Sequence, residues 1–95
     1  VEWEFEGEVI EWRGPSPYFF VVIPPDESDE LREVGRELVY WGQIPVEARI
    51  GETAFRTATF PYGEQCALPL KVAVRRAAGV EIGDVVRVGL RLGTR

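Results

Sequence analysis

One pattern, met twice in ninety-five residues, most constrains what this chain can fold into: an apolar residue followed by proline, a short helix marked by glycine, a second glycine, and an amphipathic strand. The first copy is "VIPPDESDELREVGRELVYWGQIPVEARI" and the second "ALPLKVAVRRAAGVEIGDVVRVGLRL". Pro24, Gly35 and Gly42 match Pro69, Gly79 and Gly83, although the spacing differs by several residues. A repeat of this kind predicts two halves, approximately 1–50 and 51–95, related by a rough two-fold with their helices in equivalent positions.

The remaining segments read as strands. In "WEFEGEV" Trp3, Phe5, Gly7 and Val9 share one face, and Glu2, Glu4, Glu6 and Glu8 the other, the signature of a half-buried strand. Val9-Ile10 breaks the alternation, which predicts a bulge or a change of partner. "YFFVVI" is apolar on both faces and is placed centrally. "PPDESDELREVGREL" predicts a helix capped by Asp26 or Ser28, with acids at the positive end of its dipole and Leu31, Val34 and Leu38 as its apolar stripe.

In "GQIPVEARI" the residues Ile44, Val46, Ala48 and Ile50 point inward. Pro45, lacking an N–H, should lie at an edge or turn away from its neighbour. Gly51-Glu52 suits a type II′ hairpin, which pairs Ile50 with Thr53, Ala48 with Phe55 and Glu47 with Arg56. "TAFRTATF" returns, "PYGEQ" is a loop, and "ALPL" leads into a second helix running from Pro69 to Ala78 and ending at Gly79. "DVVRVGLRL" is the last strand. Leu70, Val74, Ala77, Val80, Val86, Val88 and Leu90 are expected to be buried, with Lys71, Arg75 and Arg76 exposed.

Length bounds the answer to a single barrel domain, 1–95, burying roughly 60–65% of the unfolded chain's surface. The longest apolar run, Tyr18 to Ile23, is far short of the ~20 residues that a membrane helix needs. "VEWE" at the start is acidic where a secretory signal is basic and then apolar, so the expected location is cytoplasmic, with no membrane partner. The lone Cys66 has no partner for an internal disulfide. Charge divides sharply: residues 1–47 carry twelve acids against three arginines, and residues 48–95 carry eight basic residues against four acids.

The segment from Leu68-Pro69 through Gly79 to Gly83-Asp84 resembles the "I-P-K-x-h-R-x-x-L-G-h-x-x-G-D-x-h" signature of the AbrB/MazE swapped-hairpin proteins. In those, two short chains share one double-split β-barrel. Through "FEGEVIEWRGPSPYFFVVIP", "WGQIPVEARIGETAFRTATFP" and "LPLKVAVRRAAGVEIGDVVRV" the chain is similar, over nearly its whole length, to a bacterial domain-of-unknown-function family, DUF1905. The resemblance implies a mainly β fold: a double-split β-barrel of about six to seven strands with two short helices and two pseudo-equivalent halves in one chain. It carries over no catalytic or binding residue.

The chain has no histidine, which excludes Ser-His-Asp and Cys-His catalysis and removes the commonest zinc ligand. No catalytic residue, metal ligand or cofactor is expected, and Cys66 is read as a small buried residue. Glu2, Glu4, Glu6 and Glu8 project in parallel and do not converge, so a solvated outer face outweighs a cation site. Trp12, Tyr40, Trp41 and Tyr62 stand beside turn residues where amphipathic rings can line a shallow groove, with Arg13 and Arg56 as a cationic edge. These six are the candidate ligand-binding residues.

The function expected is a monomeric, non-catalytic binding or accessory module for a small anion, peptide or protein partner. The alternative is an AbrB/MazE-like nucleic-acid-binding regulator using Lys71, Arg75 and Arg76. Acids of the first half, within a Debye length of ~8 Å, are expected to offset those cations.

Overall fold

The first strand changes partner halfway along, and that switch organises the molecule. In the computed structural model, which describes residues 2–93, the elements are β1 (Glu2–Trp12), β2 (Tyr18–Val22), α1 (Pro25–Val34), a 3-10 turn at Arg36–Leu38, β3 (Ile44–Ile50), β4 (Thr53–Tyr62), β5 (Gln65–Leu70), α2 (Val72–Ala78) and β6 (Val85–Leu92). Glu2 to Glu8 pair with β6, and Val9 to Trp12 pair with β2. The break in alternation at Val9-Ile10 is thus a change of partner. Three strands on, β4 repeats the manoeuvre, pairing with β3 as far as Thr59 and with β5 from Phe60. The strands close into an antiparallel barrel in the order β1-β2-β5-β4-β3-β6.

Each half contributes strand, strand, helix, strand. Exchanging the halves carries the pair Val21–Leu68 onto Val22–Ala67, and both pairs exist. Gly42 and Gly83 correspond: each stands two residues before a strand with positive φ, 75° and 89°. Pro24 and Pro69 do not correspond, because Pro24 precedes the first turn of α1 whereas Pro69 lies within β5 opposite Phe20.

The Gly51-Glu52 hairpin has the predicted register, Ile50 with Thr53, Ala48 with Phe55 and Glu47 with Arg56. Gly51 has φ 60°, and Trp41 is the sole described non-glycine residue with positive φ, so the turn has the II′ pattern. Pro45 meets no free edge, since the barrel is closed. Its carbonyl accepts the Gly93 N–H at 2.8 Å, and pairing with β6 starts one residue later, at Val46–Leu92. The missing donor therefore falls just beyond the last rung of β6.

Several expectations need correction. "ALPL" is strand, and α2 begins at Val72 rather than at Pro69. Closing the barrel requires a strand between β2 and β4, and this pairing outweighs the preference of proline for a first helical turn. "PYGEQ" is a tight turn, Gly63-Glu64, with Tyr62 and Gln65 paired across it. The segment expected to be helical through Leu38 is α1 from Pro25 to Val34, capped at Gly35, followed by the 3-10 turn; a Cβ on Gly35 would lie 2.8 Å from Ile44 Cγ2, so glycine allows the close approach to β3. Val34 is consequently exposed, and Ala77 also faces solvent. Val74 and Val80 are half-buried against the core.

Neither Asp26 nor Ser28 caps α1. Ser28 is instead buried, donating from Oγ to the Ile23 carbonyl and accepting the Cys66 N–H, each at 2.9 Å. That places one hydroxyl between α1, β5 and the end of β2, satisfying two backbone groups that burial would otherwise leave unpaired. Because strands are paired all round the barrel, the helices reach its interior through its openings. Leu31 enters the core from α1, and Val74 and Ala78 pack on it from α2. Among the described residues no helix is long and apolar enough to cross a membrane.

Candidate functional site: an outward aromatic face

The outward side chains of β1 run Glu2, Glu4, Glu6, Glu8 and then Ile10 and Trp12. Those of β4 run Ala54, Arg56, Ala58 and then Phe60 and Tyr62. In both strands the chemistry changes where the partner changes. Beyond the switch, β1, β2, β5 and β4 form one sheet whose outer face carries a connected group of rings. Trp12 and Tyr18 have centroids 5.4 Å apart, Tyr18 and Phe20 5.7 Å, and Phe20 and Tyr62 5.1 Å, while Phe60 lies edge-on to both Tyr18 and Phe20.

Phe20 is only 2% exposed although it stands outside the barrel's core cluster. The rings around it form a small second core on the outer surface. Its rim stays open: Trp12 is 45% exposed, Tyr18 40% and Tyr62 44%. Gly14 lies flat on the Trp12 indole, since a Cβ at residue 14 would sit 1.7 Å from Trp12 Cη2. The loop between β1 and β2 therefore fixes the ring's position. Gln65, the polar side chain opposite Tyr62, is engaged with the Ile23 carbonyl at 2.9 Å.

Before the switch the outer face is a charge ladder. Arg87 binds Glu4 at 2.7 Å, and Arg91 binds Glu47 at 2.8 Å. Arg56 reaches the other oxygen of Glu47 at 3.3 Å. The hydrogen bond from Arg91, with the charges of Arg91 and Arg56 added, outweighs desolvation and holds the Glu47 carboxyl below its usual range. Arg91 is raised in return, chiefly by that same hydrogen bond. A shallow cleft of about 340 Å³ lies over Gly89 and Ala54 between these pairs, and Arg49 on its wall makes no ion pair among the described residues.

The expected groove residues thus divide. Trp12 and Tyr62 belong to the aromatic face. Tyr40 and Trp41 form their own edge-on pair, 6.0 Å apart, on the turn before β3. Arg56 stands on the charged half of β4 with Glu47, and Arg13, next to Trp12, is bound to Glu11 at 3.0 Å, so both arginines of the expected edge are ion-paired. Tyr18, Phe20 and Phe60 were missed, although Tyr18 and Phe20 alternate with Phe19 and Val21, and Phe60 and Tyr62 with Thr59 and Pro61. That period of two is a strand with a second apolar side.

Lys71 and Arg76 are exposed, as expected. Arg75 is not: it is half-buried with its guanidinium 3.6 Å above the Phe19 ring, a cation–π contact that the sequence pattern did not indicate. None of the three forms an ion pair among the described residues. Cys66 is buried, with Arg32 Nη1 3.7 Å from its sulfur. Arg32 is itself held by Asp29 and by the Glu64 carbonyl.

Residues 5–90 match the family model described as Domain of unknown function (DUF1905). The chain belongs to this family. The matched span runs from inside β1 to inside β6 and so includes every ring of the outer face. The DUF1905 description assigns no activity, and the function has to be argued from the surface itself. No curated protein matches the chain.

Proposed function

We propose that this DUF1905 domain is a monomeric, cytoplasmic, non-catalytic binding module whose ligand surface is the aromatic outer face of β1, β2, β5 and β4. One observation carries the reading: Tyr18 and Tyr62 flank a covered Phe20, Trp12 lies against Tyr18, and each of these three amphipathic rings is 40–45% exposed on the solvent side of a closed barrel. Covering Phe20 accounts for their inner faces but not for a rim left open to solvent, and contiguous exposed apolar surface marks a binding site. A buried free thiol suits a reducing compartment.

The arginines expected to attract a small anion are occupied by Glu11 and Glu47, which favours a peptide or protein partner instead. The nucleic-acid alternative would rest on Lys71 and Arg76, two solvated cations at the N-cap and within a seven-residue helix of a chain with net charge -5. Counterion release from so few contacts gives little affinity.

Amide-resolved NMR titration separates the readings. A panel of short peptides and a short DNA duplex at low salt are added in turn to isotope-labelled protein. Shifts gathering on residues 10–20 and 60–67 with a peptide, and no saturable change with DNA, support the module. Salt-sensitive DNA shifts centred on Lys71 and Arg76 would overturn it.

A further inference from the structure

We infer that the aromatic face recognises a proline-rich segment in the polyproline II conformation, with basic residues flanking its prolines. The inference rests on the binding-module reading and names the ligand class. The rings do not form a flat table of the kind on which a sugar ring stacks. Neighbouring planes meet at 36° to 74°, so the surface is ridged.

Ring centroids repeat every 5.1–5.8 Å. At that separation the rings touch one another, so a polyproline II chain, which rises about 3.1 Å per residue, would lie across their exposed edges at Trp12, Tyr18 and Tyr62. That conformation leaves its carbonyls unpaired and offers few N–H groups. The exposed polar tips here, the indole N–H of Trp12 and the hydroxyls of Tyr18 and Tyr62, are donors of the kind those carbonyls need.

Size and charge point the same way. The five residues of β2 rise about 16 Å and four adjacent strands span about 14 Å, which gives a face on the order of 200 Å². A stable dimer buries about 800 Å² on each partner, so a second copy of the chain would be held poorly, whereas a short extended segment fits. Glu8 lies next to the aromatic stretch of β1 and Glu64 follows Tyr62. Both are exposed, and neither carboxylate is in an ion pair among the described residues. Acids at the margins and none between the rings favour a ligand that is neutral in its middle and basic at its ends. Gly14, lying against Trp12, pre-sets that ring, so less order has to be imposed on binding.

The probe is a short synthetic peptide of proline and leucine with arginine at each end. Its controls are the same peptide with every proline replaced by alanine, and a cellulose-derived oligosaccharide. Binding is read from the backbone amide signals of residues 10–20 and 60–67, with the Trp12 indole N–H as a second probe wherever that ring is present. The proline peptide should bind saturably and the alanine control about tenfold or more weakly. Trp12→Ser and Tyr62→Ser should each cost about tenfold in affinity, and Gly14→Ala should weaken binding by displacing the indole. The melting temperature shows that each variant is folded.

Equal binding of the alanine control, or engagement of the face by the oligosaccharide and not by the peptide, would overturn the inference while leaving a binding module in place. If no probe in this set or in the NMR panel perturbs the face, both readings fall.

Discussion

The two outer faces of this barrel share β1 and β4 and solve opposite problems. On one, Glu4, Arg87, Arg91, Glu47 and Arg56 alternate in sign across four neighbouring strands. Each charge stays in water and meets an opposite charge, so register is reinforced at little thermodynamic gain. On the other, Trp12, Tyr18, Phe20, Phe60 and Tyr62 cover one another. Only Phe20 is removed from water, and the rim rings remain half open. The outside of a small barrel need not be a uniform solvent face: where β1 and β4 change partner, they also change what they present.

If the aromatic face is a packed layer, substitutions at its centre should cost far more than any on the ladder. Phe20→Ala should destabilise the domain by about 3–5 kcal/mol, in the range of buried aromatic truncations, as measured by urea unfolding. Arg91→Ala under the same conditions should leave the unfolding midpoint nearly unchanged. Similar values for the two would erase the contrast. The junction between the faces comes next. A Cβ on Gly7 would stand 2.5 Å from Cγ1 of the fully buried Val21 and 3.3 Å from the Val22 carbonyl oxygen, so Gly7→Ala should cost about 1–3 kcal/mol through overpacking.

How much of this contrast is legible in the sequence depends on the signal. The Gly51-Glu52 turn fixes its whole hairpin register, because a two-residue loop leaves one pairing. The same dipeptide at Gly63-Glu64 starts a second hairpin, yet Pro61 and Pro69 on either side disguise strands as loop and helix start. The change of partner at Val9-Ile10 shows as broken alternation. "YFFVVI" is apolar on both faces as expected, but in a six-stranded barrel no second layer exists to cover the outer side, and its own neighbouring rings do so. Period-two patterning identifies Tyr18 and Phe20 as a face. It does not reveal that Phe60 and Tyr62 from a distant strand join them, nor that Arg56, on the same strand, falls on the other half. These are consequences of closure.

Two smaller effects sharpen the comparison. Trp41 has φ 56° and is 83% exposed, in a turn where Tyr40 and Gln43 exchange both backbone hydrogen bonds and a Cβ on Gly42 would stand 3.1 Å from Pro61 Cγ. A bulky ring is strained there, while Asn-Gly suits such a turn. Trp41→Asn should raise stability by about 0.5–1 kcal/mol in a thermal melt. A loss of stability would show that Trp41 serves folding and belongs with the packed rings.

The smallest effect lies on the ladder. Glu47 has a depressed pKa in the fold, so its contribution is present above its ordinary value of 4.5 and is lost as pH falls through the lower folded value. Glu47→Gln should therefore flatten the acid limb of the stability profile below about that pH and leave its neutral region nearly unchanged, with the difference shrinking in high salt. An unchanged acid limb would remove Glu47 as the titrating group.

The most direct test of the central claim, that the aromatic face and not the charged one is the binding surface, is to measure intermolecular nuclear Overhauser contacts between the protein and the arginine-flanked proline peptide. The account predicts contacts from proline ring protons to Trp12, Tyr18 and Tyr62, and none to residues of the ladder. Contacts confined to the side chains of Arg49, Arg87 and Arg91, or to Lys71 and Arg76 at and within α2, would contradict it.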